Sequence, residues 1–237
     1  MRSSGSAAGT APDWEALAPV WHCFENTGST YATLRAVLDR LRPPVLYAGG
    51  GRGRFPARLA RQLGPGSVVT LDAAWGMVRR ARTEFGLQCV QADVRAVPLR
   101  SGSVGSVFCA TGVLEHLDPA DRLDALRELA RVTVPGGPIV LPTPPPGARA
   151  VDVRAEVEAW WSAGPAGGRT AAGTAFDAVA HVTGDRAAAY ELLISALPAT
   201  PAPLVGPSPD ELAEAGLCSG LEVGEGVSAL LVRRAGR

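Results

Sequence analysis

Short apolar runs alternate with segments of helical spacing through the first 142 residues, and this alternation restricts the fold more than any other feature. The runs "VLYA" (45–48), "SVVTLD" (67–72), "LQCVQAD" (87–93), "SVFCA" (106–110) and "PIVL" (138–141) have the length and content of strands. Between them lie helical patterns. Phe55, Leu59 and Leu63 recur every fourth residue, with Gly64-Pro65-Gly66 closing the segment. A second helix is expected around Met77 to Phe85. "LDPADRLDALRELARV" has Asp118 as N-cap, Pro119 in the first position, and Leu123, Leu126 and Leu129 facing inward. Ahead of all these, "STYATLRAVLDRLRPP" puts Leu34, Val37, Leu38 and Leu41 on one face, with Ser29 as cap and Pro43-Pro44 as stop. Near-continuous apolar strands joined by helices predict an α/β fold with a mostly parallel sheet covered on both faces.

The pattern changes toward the end. "SPDELAEAGL" opens with a capping box, Ser208 and Glu211. "SGLEVGEGVSALLVRR" reads as two strands around the tight turn Gly224-Glu225-Gly226. The sheet is therefore expected to finish in an antiparallel hairpin. Residues 145–206 form an insertion with helical spacing, carrying Trp160, Trp161, Phe176 and Tyr190 and ending in the Pro-rich "PATPAPLVGP". These aromatics are expected to pack a small core of their own, with a substrate cap as the functional alternative. The division expected is a disordered lead at 1–12 and one domain over 13–237, with 145–206 as its helical cap insertion.

Composition removes several classes of function. The formal net charge is zero and there is no basic run, which argues against a nucleic-acid partner. Every basic residue apart from histidine is Arg, so no Lys can form a Schiff base or complete a P-loop. Cys23, Cys89, Cys109 and Cys218 are scattered, without metal-site or disulfide-framework spacing. No apolar run approaches the roughly 18 residues of a membrane span. "MRSSGSAAGTAPDWEAL" lacks the apolar centre of a signal peptide, so a cytoplasmic protein is expected.

The stretch "VLYAGGGRGRF" sets Gly49, Gly51 and Gly53 as G-x-G-x-G directly after the first strand. Such a loop lies at the carboxyl edge of a parallel sheet, where ligands bind. Neither register fits G-x-G-x-x-G, because Arg54 or Pro56 takes the last place. Asp72 ends the second run and Asp93 the third. An acid at the end of strand two can accept hydrogen bonds from both hydroxyls of a ribose, and one after strand three from an adenine amino group.

The ordered set "VLYAGGGRG", "VVTLDAAWGMVRRAR", "VQADVRAVPLRSGSV", "FCATGVLEHL", "RELARVTVPGGPIVL" resembles the class I S-adenosylmethionine-dependent methyltransferases that act on small molecules. The resemblance covers about residues 27–143, and the hairpin at 217–234 in outline. It implies a Rossmann-like seven-stranded sheet and S-adenosylmethionine as cofactor, with S-adenosylhomocysteine as its product. It also implies cofactor contacts at Tyr47, Gly49, Gly51, Gly53, Asp72, Ala73, Met77, Asp93, Val94 and Thr111, with Trp75 near the adenine. Relatives usually have an acid at Tyr47, a small hydroxyl residue at Arg52 and Asp at Gly105. Pro142, inside "LPTPPPG", is unusual for a buried strand.

Methyl transfer needs alignment more than acid–base machinery, and a base helps when the acceptor carries a proton. His116 in "VLEHL" and His22 in "VWHCFENTG" are the candidate bases, while His181 is expected on a helix face. Arg52 and Arg54 border the glycine loop, within reach of an acidic group of a ligand. The expected activity is methyl transfer to O, N or C of a small-molecule acceptor. The alternatives are a fold repurposed for cyclisation, dehydration or rearrangement, and a non-catalytic partner subunit. No metal is expected, and the oligomeric state stays open, a homodimer included.

Overall fold

The computed structural model describes residues 11–24, 27–110, 112–142, 152–164, 171–199, 206–222 and 229–234. In chain order the elements are α1 (Trp14–Leu17), α2 (Thr27–Val37), β1 (Val45–Ala48), α3 (Arg54–Leu63), β2 (Val68–Asp72), α4 (Trp75–Phe85), β3 (Gln88–Gln91), β4 (Ser106–Cys109), α5 (Pro119–Val132) and β5 (Pro138–Pro142). They continue with α6 (Val153–Ala163), α7 (Ala171–Thr183), α8 (Arg186–Ala196), α9 (Pro209–Glu214), β6 (Leu217–Glu222) and β7 (Ala229–Arg234). One-turn 3-10 helices lie at Trp21–Cys23, Leu38–Arg40 and Leu114–His116.

The strands make one seven-stranded sheet in the order β3-β2-β1-β4-β5-β7-β6. β1 pairs in parallel with β2 and β4, β2 with β3, and β4 with β5. β7 runs antiparallel to both β5 and β6, so the expected hairpin closes the sheet. Its expected turn, Gly224-Glu225-Gly226, lies outside the described residues. The order reverses between β1 and β4, the position where open α/β sheets bind ligands.

Alternation along β1 divides the core. Leu46 and Ala48 face the α5 side with Leu126, Leu129, Ile139 and Leu212. Val45 and Tyr47 face the α2 and α3 side with Leu34, Val37, Leu59 and Phe108. The caps match the expected chemistry. Asp118 accepts from the Asp121 N–H, and Ser208 and Glu211 form the reciprocal box. Pro138 and Pro142 stand at the two ends of β5, where a missing N–H disturbs the ladder least. Two boundaries differ from expectation: α2 begins at Thr27, with Ser29 inside it, and β3 ends at Gln91, two residues before Asp93.

The chain divides into two compact units. One holds the sheet, with Asn26–Ala148 and Leu204–Arg237; the other holds Arg149–Pro203 together with Met1–Glu25. Residues 1–10 of the expected lead lie outside the described residues. From Asp13 on, the chain joins the helices of the second unit, where the Asp13 N–H donates to the Ala196 carbonyl at 2.7 Å. That unit buries Leu17, Val157, Trp160, Phe176, Val179 and Leu193 in one cluster. Trp160 donates from Nε1 to Asp177 at 2.8 Å, and the Arg186 guanidinium lies 3.7 Å over its ring.

Candidate active site

The glycine loop is held from both sides. The Gly49 and Gly50 N–H groups donate to the Leu71 carbonyl, and the Gly51 N–H donates to Asp72 Oδ2 at 2.8 Å. Asp72 Oδ1 accepts from the Ala74 N–H at 3.0 Å. Asp72 thus pins the loop after β1 to the turn after β2, and its half-buried carboxylate keeps acceptor capacity for a ligand. Two glycines are required by neighbouring protein atoms. A Cβ on Gly49, at φ 71°, would lie 2.1 Å from Val113 Cγ2. One on Gly53, at φ 94°, would lie 2.8 Å from both Ala81 and Leu87. Close approach of chain to chain therefore explains both residues before any ligand is considered.

Arg52, beside the glycine loop, is engaged with an acid of the chain itself. Its Nη2 donates to Glu84 Oε1 at 2.6 Å, and Arg80 joins at 3.2 Å, tying the loop to α4. Burial raises the Glu84 pKa, but the hydrogen bonds and charges of Arg52 and Arg80 outweigh it and hold the carboxyl below its ordinary range. Arg54 opens α3 on the surface.

Beyond β3, Asp93 sits in a loop laced to α5. Its Oδ1 accepts from the Arg95 N–H at 2.8 Å, and both oxygens accept from Arg95 Nε at 3.0 Å. Burial works against ionisation of Asp93. The side-chain and backbone hydrogen bonds from Arg95 outweigh it, and the carboxyl is held below its usual value. Val94 is buried beside it, Ala73 is exposed, and Trp75 at the start of α4 is 46% exposed. Met77, expected at the cofactor, is only 2% exposed and belongs to the core.

The edge after β1 and β4 is different. Tyr47 is 1% exposed, and its ring stacks on Phe108 with centroids 4.9 Å apart. Tyr47 is thus part of the core. Thr111 lies outside the described residues. The 3-10 turn that follows holds Glu115, 6% exposed, whose Oε2 accepts from the Gly112 N–H at 3.0 Å. Burial pushes the Glu115 carboxyl up and pushes His116 below its ordinary value of 6.5. His116 therefore stands neutral near pH 7 at the edge beyond β4. His22 belongs to the other unit, where its Nε2 lies 3.7 Å from Cys23 Sγ. His181 is exposed on α7. Among the described residues no cluster of three or more His, Cys, Asp or Glu is arranged to hold a metal.

Sequence reasoning missed Arg95, Glu84 and Val113. Arg95 had a signal, since an Arg two residues after an acid can close a fork on it. Glu84 and Val113 are brought in from distant elements and had none.

Strand order, glycine loop and the acids after β2 and β3 together define a Rossmann-like class I methyltransferase fold. Residues 45–137 match the family model described as methyltransferase domain. Among curated relatives, the biotin biosynthesis bifunctional protein BioHC of Cellvibrio japonicus is 35% identical over 116 residues, 48% of this chain and 22% of that protein. The ubiquinone/menaquinone biosynthesis C-methyltransferase UbiE of Pasteurella multocida is 31% identical over 41% of this chain and 38% of its own length. The malonyl-[acyl-carrier protein] O-methyltransferase of a Marinomonas species is 33% identical over 42% of this chain and 37% of its own length. The matches span well under half the length of each. Among solved structures, the CcbJ methyltransferase of Streptomyces caelestis is 20% identical over 56% of this chain and 59% of that chain, with a TM-score of 0.49.

Proposed function

We propose that this chain transfers a methyl group from S-adenosylmethionine to an oxygen, nitrogen or carbon atom of a small biosynthetic molecule. The observation that carries the reading is the pair of carboxylates in a methyltransferase domain, Asp72 bonded to the glycine loop and Asp93 fixed beyond β3. This donor-accepting set fits the adenosine half of the cofactor. Asp72 would accept from the ribose hydroxyls, and Asp93 with Val94 would hold the base, with Ala73 and Trp75 at its border. When bound, the cofactor supplies a methyl group already activated by its sulfonium. The backbone of Gly49 and Gly51 would take the amino-acid end, next to a Tyr47 that brings no negative charge near neutral pH. His116, kept neutral by burial, is suited to take a proton from a hydroxyl or ammonium acceptor. The named relatives methylate carbon in one case and oxygen in another, so the acceptor atom is left among the three. No described helix is long and apolar enough to cross a membrane, and action in the cytoplasm belongs to the same proposal.

A thermal melt tests it. S-adenosylhomocysteine at a hundred times its dissociation constant should stabilise the fold by about 2.7 kcal/mol. No shift at millimolar ligand would refute the cofactor assignment. The buried Tyr47–Phe108 stack favours one second reading, a fold repurposed for cyclisation, dehydration or rearrangement. Product mass separates the two, because only methyl transfer adds a methyl group.

A further inference from the structure

The loop after β3 is bound to α5 along its length. Glu128 Oε2 accepts from the Val97 N–H at 2.8 Å, and Arg131 donates to the Val97 and Leu99 carbonyls, each at 2.8 Å. Arg95 begins this series. Its Nη1 donates to Asp121 Oδ2 in the first turn of α5, while Nε and Nη2 grip the Asp93 carboxylate. One guanidinium thus serves two carboxylates whose side chains are 43% and 26% exposed.

Three consequences follow from this fork. The last torsion of an Asp side chain is soft, and a fork on both oxygens fixes its plane. The adjacent positive charge keeps Asp93 ionised, so it can only accept hydrogen bonds. The contact to Asp121 ties that fixed acceptor to a long helix, and without Arg95 the two carboxylates would repel each other. A fixed, acceptor-only group suits a purine with an amino group at position 6. It opposes a purine with a carbonyl there, because two acceptors would then face each other.

We propose that Arg95 is the positioning residue that sets base selectivity, by locking Asp93 as a fixed acceptor against α5 so that the site takes a 6-aminopurine nucleoside and rejects a 6-oxopurine. This rests on the cofactor reading above, and Arg95 acts through Asp93 rather than by touching the base. A purely structural role would change stability and overall affinity but leave the ratio between two bases unchanged.

Calorimetric titration of the full chain with S-adenosylhomocysteine and with its 6-oxo analogue, S-inosylhomocysteine, tests it. The wild-type chain should prefer the amino form by at least about thirtyfold. Arg95→Ala should bring that preference to within about fivefold, because the carboxylate is released. Arg95→Lys keeps the charge and the fold but loses the fork, and should fall between the two. It remains informative if the alanine variant does not fold. A wild-type preference that Arg95→Ala or Arg95→Lys leaves untouched overturns the proposal, as does a wild-type chain that binds both nucleosides equally. A wild-type chain that binds neither overturns the cofactor reading and this proposal together.

Discussion

The two halves of the sheet edge are built on opposite principles. After β2 and β3 the edge is charged and partly exposed, with Asp72 on the Gly51 N–H and Asp93 in the fork of Arg95. After β1 and β4 it is largely buried, with Tyr47 stacked on Phe108, Val113 against Gly49, and Glu115 and His116 in the turn beyond. Strand alternation explains the contrast. Tyr47 shares a face with Val45 and packs against Leu34, Val37 and Leu59 beneath α2 and α3. Packing and ligand recognition compete for this position, and here packing has taken it. Asp72 is the last residue of its strand and only half-buried, so its carboxylate can meet backbone amides and a ligand at once.

Four substitutions probe the two halves separately. Tyr47→Asp should have the largest effect. It removes a fully buried ring and places a carboxylate in the apolar cluster, at a cost of about 3–5 kcal/mol. The melting temperature should fall by roughly 10 °C. A variant as stable as the wild type, with tighter cofactor binding, would show that packing does not hold this position. Asp72→Ala comes next, because it removes the proposed ribose acceptor and the partner of two backbone amides. Titration with S-adenosylhomocysteine should show a loss of about a hundredfold, near 3 kcal/mol. Retained affinity would shift the site away from β2.

Glu115→Gln probes the buried half. Burial raises the folded pKa of Glu115 above its ordinary 4.5, so the ionised form is disfavoured in the fold. That cost is present above the folded pKa and vanishes as pH falls toward the unfolded value. The glutamine variant, which still offers an oxygen to the Gly112 N–H, should gain on the order of 1 kcal/mol at pH 7. Urea unfolding should show the gap closing near pH 4.5; a gap independent of pH would mean that Glu115 is not held as argued. Arg52→Ala should cost least, about 0.5–1 kcal/mol, since Glu84 is 34% exposed and keeps Arg80. Added salt should shrink that difference.

What could be read from the sequence was what local patterns determine. Runs such as Val45–Ala48 and Val68–Asp72 are strands because apolar content and length leave few alternatives. Asp118 and the Ser208–Glu211 box act within one turn, so their spacing announces them. Asp72 was legible as a strand-end acid beside a glycine loop. Its bond to Gly51, 21 residues away, depended on two strands lying side by side. The ion pair of Arg52 was not legible, because Glu84 lies 32 residues on, in another helix. The joining of Trp14–Leu17 to α8 rests on contacts across most of the chain, and no periodicity records them. The position of Tyr47 in β1 was plain, but its burial against Phe108 follows from the pairing of β1 with β4.

The proposed cofactor site offers acceptors for an adenosine at Asp72 and Asp93 and no carboxylate at β1 for an amino-acid end. Calorimetry with S-adenosylhomocysteine and with 5′-methylthioadenosine, which lacks the amino-acid group, tests it most directly. Both should bind, with the full product favoured by no more than about tenfold, the value of one modest hydrogen-bonded contact. A preference of several hundredfold, or failure of methylthioadenosine to bind while the product binds tightly, would contradict it.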